Sequence, residues 1–128
     1  IALILVFAFV AAACGGSDGP DAERFCEILD EIDAQNTTGL PPEEALPIIE
    51  EGRAKFVEGI EVAPEEIKDD ATTFADGALQ ITDVLIAAGG DESAVDPVEI
   101  QALAESIFTS EYDAAAQNVT TWRAANCS

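Results

Sequence analysis

The sequence predicts an all-α fold, a four- to five-helix antiparallel bundle with a disulfide joining its termini. Three observations lead there. The apolar positions Ile67, Ala71, Phe74, Ala78, Ile81 and Leu85 step by 4, 3, 4, 3 and 4, the period of one helix face and not of a strand. Helix punctuation recurs at sensible intervals, with DPVE at 96–99 and SEYD at 110–113 as starts and Gly89 with Gly90 as a stop. Two of the three cysteines, Cys26 and Cys127, lie near the two ends of the folded part. No strand-like alternation and no repeat of solenoid length accompanies these signals.

The first helix is expected over residues 21–34, DAERFCEILDEIDA, where Phe25, Ile28, Leu29 and Ile32 fall on one face and carboxylates on the other. Asn36, Thr37, Thr38 and Gly39 stop it. Pro41 and Pro42 suit a helix start, whereas Pro47 either begins the second helix at its first turn or kinks it; the helix is expected from about residue 47 to 60, with a short turn before it. Ile49, Phe56, Val57 and Ile60 are its expected buried side. The third runs between Pro64 and Gly90, and the glycine pair offers a left-handed end. Gly77 inside it costs about 1 kcal/mol against alanine unless a neighbouring helix approaches closely there.

After a turn at ESAV, Asp96 is placed to cap a fourth helix, with Pro97 in its first position and Glu99 closing a capping box. Ile100, Leu103, Ala104, Ile107 and Phe108 are its expected inner face. A restart at SEYD gives a fifth helix whose stripe is Tyr112, Ala115, Val119 and Trp122, ending near Cys127. Residues 21–128 form a single helical domain on this reading, of a size that supports a modest core.

Residues 1–13, IALILVFAFVAAA, contain no polar side chain. At helical rise they cover about 20 Å, short of a hydrocarbon core of roughly 30 Å. They have the length of a signal-peptide h-region ending in small residues, with an initiator methionine and a basic n-region expected upstream of Ile1. AAAC at 11–14 resembles the lipobox of bacterial lipoproteins, with Ala11 where leucine is usual. The resemblance implies that Cys14 is diacylated through its sulfur and becomes the first mature residue. Residues 14–20 then read as the lipidated cysteine and a flexible tether. A soluble secreted protein and a retained membrane helix are the alternatives.

With Cys14 carrying the lipid, Cys26 and Cys127 remain as a pair in a compartment where disulfides persist. Closing a loop of about 100 residues removes roughly 4.7 kcal/mol of unfolded-state entropy in the simple chain treatment. Two buried free thiols are the alternative. Redox chemistry is disfavoured, because no C-x-x-C is present.

Acidic groups number 26 against 5 basic ones, for a formal net charge of −21. Such a surface repels nucleic acid and anionic headgroups, so no nucleic-acid partner is expected. It suits a saline surrounding, which screens the self-repulsion, or a cationic partner.

The chain has no histidine, which removes Glu-x-x-His di-metal sites and every histidine-assisted nucleophile. Lys55 and Lys68 sit among acids and read as exposed partners in helix pairs rather than as catalytic bases. A carboxylate-based hydrolase is the remaining enzymatic alternative. It needs aromatic platforms in a cleft, whereas the one tryptophan and the one tyrosine fall on a helical stripe.

The acids Glu65, Glu66, Asp69 and Asp70 start the third helix, where its dipole favours them. No calcium loop accompanies them, so no metal site is expected. NTT at 36–38 and NVT at 118–120 match glycosylation acceptors, a reading opposed by the bacterial lipobox and by the core position of Val119.

The lipobox, the glycine-rich tether, a cysteine in the first helix and a cysteine at the extreme C-terminus together resemble the small alanine-rich helical lipoproteins of actinobacteria. The resemblance implies an exported protein, lipid-anchored through Cys14 on the outer face of the cytoplasmic membrane, and assigns it no activity; from the residues themselves neither a cofactor nor an enzymatic activity is expected. A protein-interaction or structural module of the envelope is the expected function. Binding of a small ligand or of a divalent cation is the alternative. An exposed apolar patch would mark the first, and a concave apolar pocket with a few polar groups the second.

Overall fold

The computed structural model describes residues 20–128. Five helices carry them: α1 (Pro20–Ala34), α2 (Pro42–Val62), α3 (Lys68–Ala87), α4 (Pro97–Ile107) and α5 (Ser110–Asn126). Single 3₁₀ turns at Glu65–Ile67 and Glu92–Ala94 lead into α3 and towards α4. Among the described residues there is no strand. The expected h-region, Cys14 and nearly all of the tether lie outside the described residues.

α1 opens at Pro20, the last residue expected in the tether. Proline fits there, since the first-turn N–H groups have no helical partner. α2 is longer than its expected span of 47–60, and Pro47 lies inside it. The hydrogen bond that Pro47 lacks belongs to the carbonyl of Glu43, an exposed residue of the first turn where water can serve instead.

The inner stripe of α2 also differs from the expected one. It runs through Ala45, Ile49, Gly52 and Gly59, all buried, with Phe56 half-buried between them. Val57 is exposed, one helical step off that line. Glycine carries no hydropathy signal, so a stripe built partly of Gly52 and Gly59 is read from apolar residues alone as one shifted towards Val57.

The third helix ends as its sequence requires. Gly89 and Gly90 have φ of 68° and 81°, and the Gly90 N–H donates to the Leu85 carbonyl at 2.9 Å, the closing bond of a Schellman end. α4 begins with the Asp96 carboxylate accepting from the Val98 N–H at 2.8 Å and Pro97 in the first turn. The cap of α5 is Thr109, one residue before the expected Ser110, and its hydroxyl accepts from the Tyr112 N–H.

The main core joins α1, α3, the 3₁₀ turn before it and α5. Ala22, Phe25, Ala63, Ile67, Ala71, Val119 and Trp122 are buried together, with Cys26, Leu29, Val62 and Cys127 packed against them. Phe25 and Trp122 meet edge to face with ring centroids 5.4 Å apart, a favoured aromatic geometry. That contact brings the C-terminal end of α5 to α1, and Cys26 and Cys127 are bonded with Cα atoms 5.6 Å apart. The Trp122 indole N–H donates to Glu66 at 3.1 Å, which satisfies its polar atom at the core edge.

α4 departs most from expectation. Of its expected inner face only Ile107 is buried, Ile100, Leu103 and Ala104 are half-buried, and Phe108 is 55% exposed. Phe108 is the cap residue, with ψ of 65°, so the backbone has left the helical period before that side chain is placed. Ile107 and Tyr112 lie against Gly77 of α3: a Cβ built there would stand 2.8 Å and 2.7 Å from them. The close approach that alone justifies a glycine in mid-helix is therefore present.

Candidate functional site

A cavity of about 150 Å³ lies between α1, α2, α3 and α5. Its wall is apolar because each helix turns its inner stripe towards it. α1 contributes Phe25, Ile28, Leu29 and Ile32; α2 contributes Phe56 and Gly59; α3 contributes Ala71, Phe74 and Ala75; α5 contributes Ala116 and Val119. Ile28 is wholly inaccessible to solvent. Gly59 leaves room: a Cβ there would meet Ile28 at 3.5 Å and Phe25 at 4.0 Å, ordinary contact distances. The space thus arises where small residues of three helices face aromatic and branched residues of the fourth.

Four polar side chains, Asp33, Lys55, Thr120 and Arg123, complete the lining. Asp33 and Thr120 are exposed and mark the mouth. Lys55 reaches from α2 to Glu31 of α1, Nζ to Oε2 2.5 Å. Arg123 reaches from α5 to α1, with Nη1 2.5 Å from Asp33 and Nη2 2.6 Å from Asp30. Both cations at the mouth are already bound to carboxylates, and both straps land on α1.

Arg24 extends this network, with Nε and Nη2 donating to Glu58 of α2 at 2.6 and 3.0 Å. The hydrogen bond from Lys55, then the one from Arg24, holds the Glu31 carboxyl below the usual carboxylate range. Arg24 does the same for Glu58. The Arg123 guanidinium is pushed up, first by Asp33 and then by Asp30.

An aromatic row leads away from the cavity. Phe56 and Phe74 stand 6.4 Å apart, Phe74 stacks on Tyr112 at 5.7 Å, and Tyr112 meets Phe108 edge-on at 5.3 Å. Phe108 and Val98, the latter 75% exposed, are the most exposed large apolar side chains among the described residues. They sit at opposite ends of α4, about 15 Å apart at helical rise. They are two isolated exposures rather than one patch.

The residues singled out from sequence separate cleanly. Cys26 and Cys127 are joined to each other, and Cys14 lies outside the described residues. Lys55 was expected to be an exposed member of a pair within its own helix; its side chain is only 19% exposed and its partner is on α1. The acids at the start of α3 face several ways: Glu66 accepts from Trp122 and Asp70 from Asn118.

Among the described residues no group of three or more His, Cys, Asp or Glu is placed to hold a metal ion, and no helix is long and apolar enough to cross a membrane. Sequence reasoning missed the cavity itself. The available signal was the set of small residues, Gly59, Ala71, Ala75 and Ala116, falling on the inner stripes of three different helices.

No known protein family, no curated protein and no solved structure matches the chain.

Proposed function

We propose that the chain is an exported helical lipoprotein, anchored through Cys14 on the outer face of the bacterial cytoplasmic membrane, whose folded domain holds a small ligand between its helices. The observation that carries the binding part is the apolar cavity, closed at its base by buried Ile28 and Phe25 and open where Asp33 and Thr120 reach solvent. An apolar hollow with a few polar groups at one side is the usual form of a small-molecule site. The reading is one of binding without a catalytic step. The short connections between helices favour the antiparallel bundle, in which such a hollow opens between neighbours.

A ligand that binds the folded state alone raises the melting temperature by mass action. Thermal unfolding of the protein with and without saturating toluene therefore tests the cavity. The midpoint rises for the wild type and stays put for Gly59→Leu, whose side chain occupies the space. An unchanged midpoint in both proteins refutes the reading. For the anchor, an alkyne fatty acid marks the wild type and leaves Cys14→Ser unmarked; labelling that survives the substitution removes the lipid.

A protein-interaction module is the second reading, and the exposure of Phe108 at the α4–α5 corner favours it. Crosslinking at the native cell surface distinguishes the two. A single partner joined near residue 108, lost on Phe108→Ser, supports an interaction role.

A further inference from the structure

We infer that the cavity takes an uncharged, ring-sized molecule and that the ion pairs at its mouth select against charged ligands of the same shape. This rests on the ligand-binding reading above and adds the chemical class. Size comes first. A hollow of about 150 Å³ lies well below the roughly 300 to 1,000 Å³ of sites for drug-sized molecules. An engineered protein cavity of about 150 Å³ lined by apolar side chains stays dry and takes benzene. A long acyl chain has no room.

Wall chemistry comes second. The base is built from apolar side chains on helices whose backbone N–H and C=O groups already serve their own helices, so a polar group carried inside finds no partner there. Phe56 and Phe74, tilted by 60° with centroids 6.4 Å apart, offer aromatic surface to a planar ring.

The mouth decides the charge. An anionic ligand would need Lys55 or Arg123, but Lys55 is held by Glu31, and Arg123 is held by Asp30 and Asp33. Taking either cation would release a carboxylate into a molecule of net charge −21, where like charge already dominates. A cationic ligand gains from that net charge outside the cavity. To enter it must shed its hydration into the apolar base, and at the mouth it competes with two cations tethered to the same three carboxylates. A neutral ring meets neither obstacle.

The test uses the full chain and a matched set of probes: toluene, benzoate and benzylammonium share one ring and differ in charge. Binding is read from melting-temperature titrations and from ligand-to-methyl proximity in nuclear magnetic resonance at Leu29 and Ile32, the partly exposed methyl-bearing residues of the α1 wall. Toluene is expected to bind, and both charged probes at least about tenfold more weakly, a difference of about 1.4 kcal/mol. Gly59→Leu and, separately, Ala75→Val should each weaken toluene binding; the milder Ala75→Val guards against a variant that fails to fold.

Benzoate or benzylammonium binding as tightly as toluene overturns the assignment of class and leaves the cavity standing as a site. Toluene binding that survives both filling substitutions, or that shows no proximity to Leu29 or Ile32, overturns the assignment because the site lies elsewhere. Failure of all three probes removes the ligand-binding reading and this inference with it.

Discussion

Two glycines in helix interiors should respond in opposite ways to the same substitution. Glycine in mid-helix is ordinarily about 1 kcal/mol worse than alanine, so Gly→Ala alone predicts a gain at both Gly59 and Gly77. At Gly59 the added methyl would meet Ile28 at 3.5 Å and Phe25 at 4.0 Å, contact distances near the attractive optimum. Gly59→Ala is therefore expected to stabilise by about 0.5 to 1 kcal/mol.

At Gly77 the methyl would fall 2.7 Å from Tyr112 Cε2 and 2.8 Å from Ile107 Cγ2. The Tyr112 ring is flanked by Phe74 and Phe108, and Ile107 is the one buried residue of α4, so neither yields without moving the α4–α5 corner. Overpacking of this kind costs about 1 to 3 kcal/mol. Set against the helix gain, Gly77→Ala should destabilise by up to about 2 kcal/mol. Denaturant unfolding at constant m-value reads both shifts, and Ile107→Leu, which lacks the β-branch methyl that the new Cβ would strike, should restore part of the loss at Gly77 through non-additive coupling. A Gly77→Ala protein as stable as the wild type would refute the packing argument.

Four further outcomes follow from the same contacts. Alkylation of the folded, unreduced protein should modify neither Cys26 nor Cys127, and replacing both by serine should cost about 2 to 5 kcal/mol in unfolding experiments. Trp122→Ala should cost about 3 to 5 kcal/mol, whereas Trp122→Phe, which keeps most of the apolar contact and loses the hydrogen bond to Glu66, should cost about 1 kcal/mol. Glu31 and Glu58 have folded pKa values below the ordinary 4.5. Their stabilising contribution is thus complete above that value and fades as pH falls through the folded ones. Acid titration of the unfolding midpoint should show that loss, and Arg24→Met should shrink it. In hydrogen exchange the amides of α4 should exchange before those of α1, α3 and α5; equal protection of α4 would show that it is held by more than its contact with α3.

The helices were largely legible because punctuation and period agree in this chain. Gly89 and Gly90 stop α3 where two consecutive positive-φ residues are required, and Asp96 caps α4 with its own side chain. The pairing of Cys26 with Cys127 was legible from position and from the compartment the sequence leads one to expect. The contact through Phe25 and Trp122 joins two stripes that the sequence marks separately as apolar.

What was not legible depended on groups with no hydropathy. Gly52 and Gly59 belong to the core of α2, and an apolar template assigns their place to Val57. Pro47 read as a helix start because sequence alone does not reveal that its orphaned carbonyl is solvated. The cavity is the same difficulty in three dimensions: a void is a property of how four stripes meet, and no single stripe contains it. Lys55 has acidic neighbours on its own helix, and only the packing of α2 on α1 brings Glu31 to it instead.

The placement of the few cations shows what the acidic composition asks of the fold. Arg24 and Lys55 tie α1 to α2, Arg123 ties α5 to α1, and Arg53 ties α2 to α3 through Asp83. Each of these four cations therefore spans two helices, where it relieves repulsion between acidic faces that packing forces together. Exposed ion pairs of this kind add little individually, so their value lies in where they fall rather than in their number. Among the described residues none of these ion pairs reaches α4, and α4 is also the helix with the least buried side. Its position rests on Ile107 against Gly77 and on the turn into α5. Three of the four straps meet on α1, the helix that carries the deepest wall of the cavity, and the cations of two of them, Lys55 and Arg123, line that cavity. The same scarce charges that hold the acidic helices together thus border the apolar cavity between them, which is why binding there should answer to the charge of the ligand.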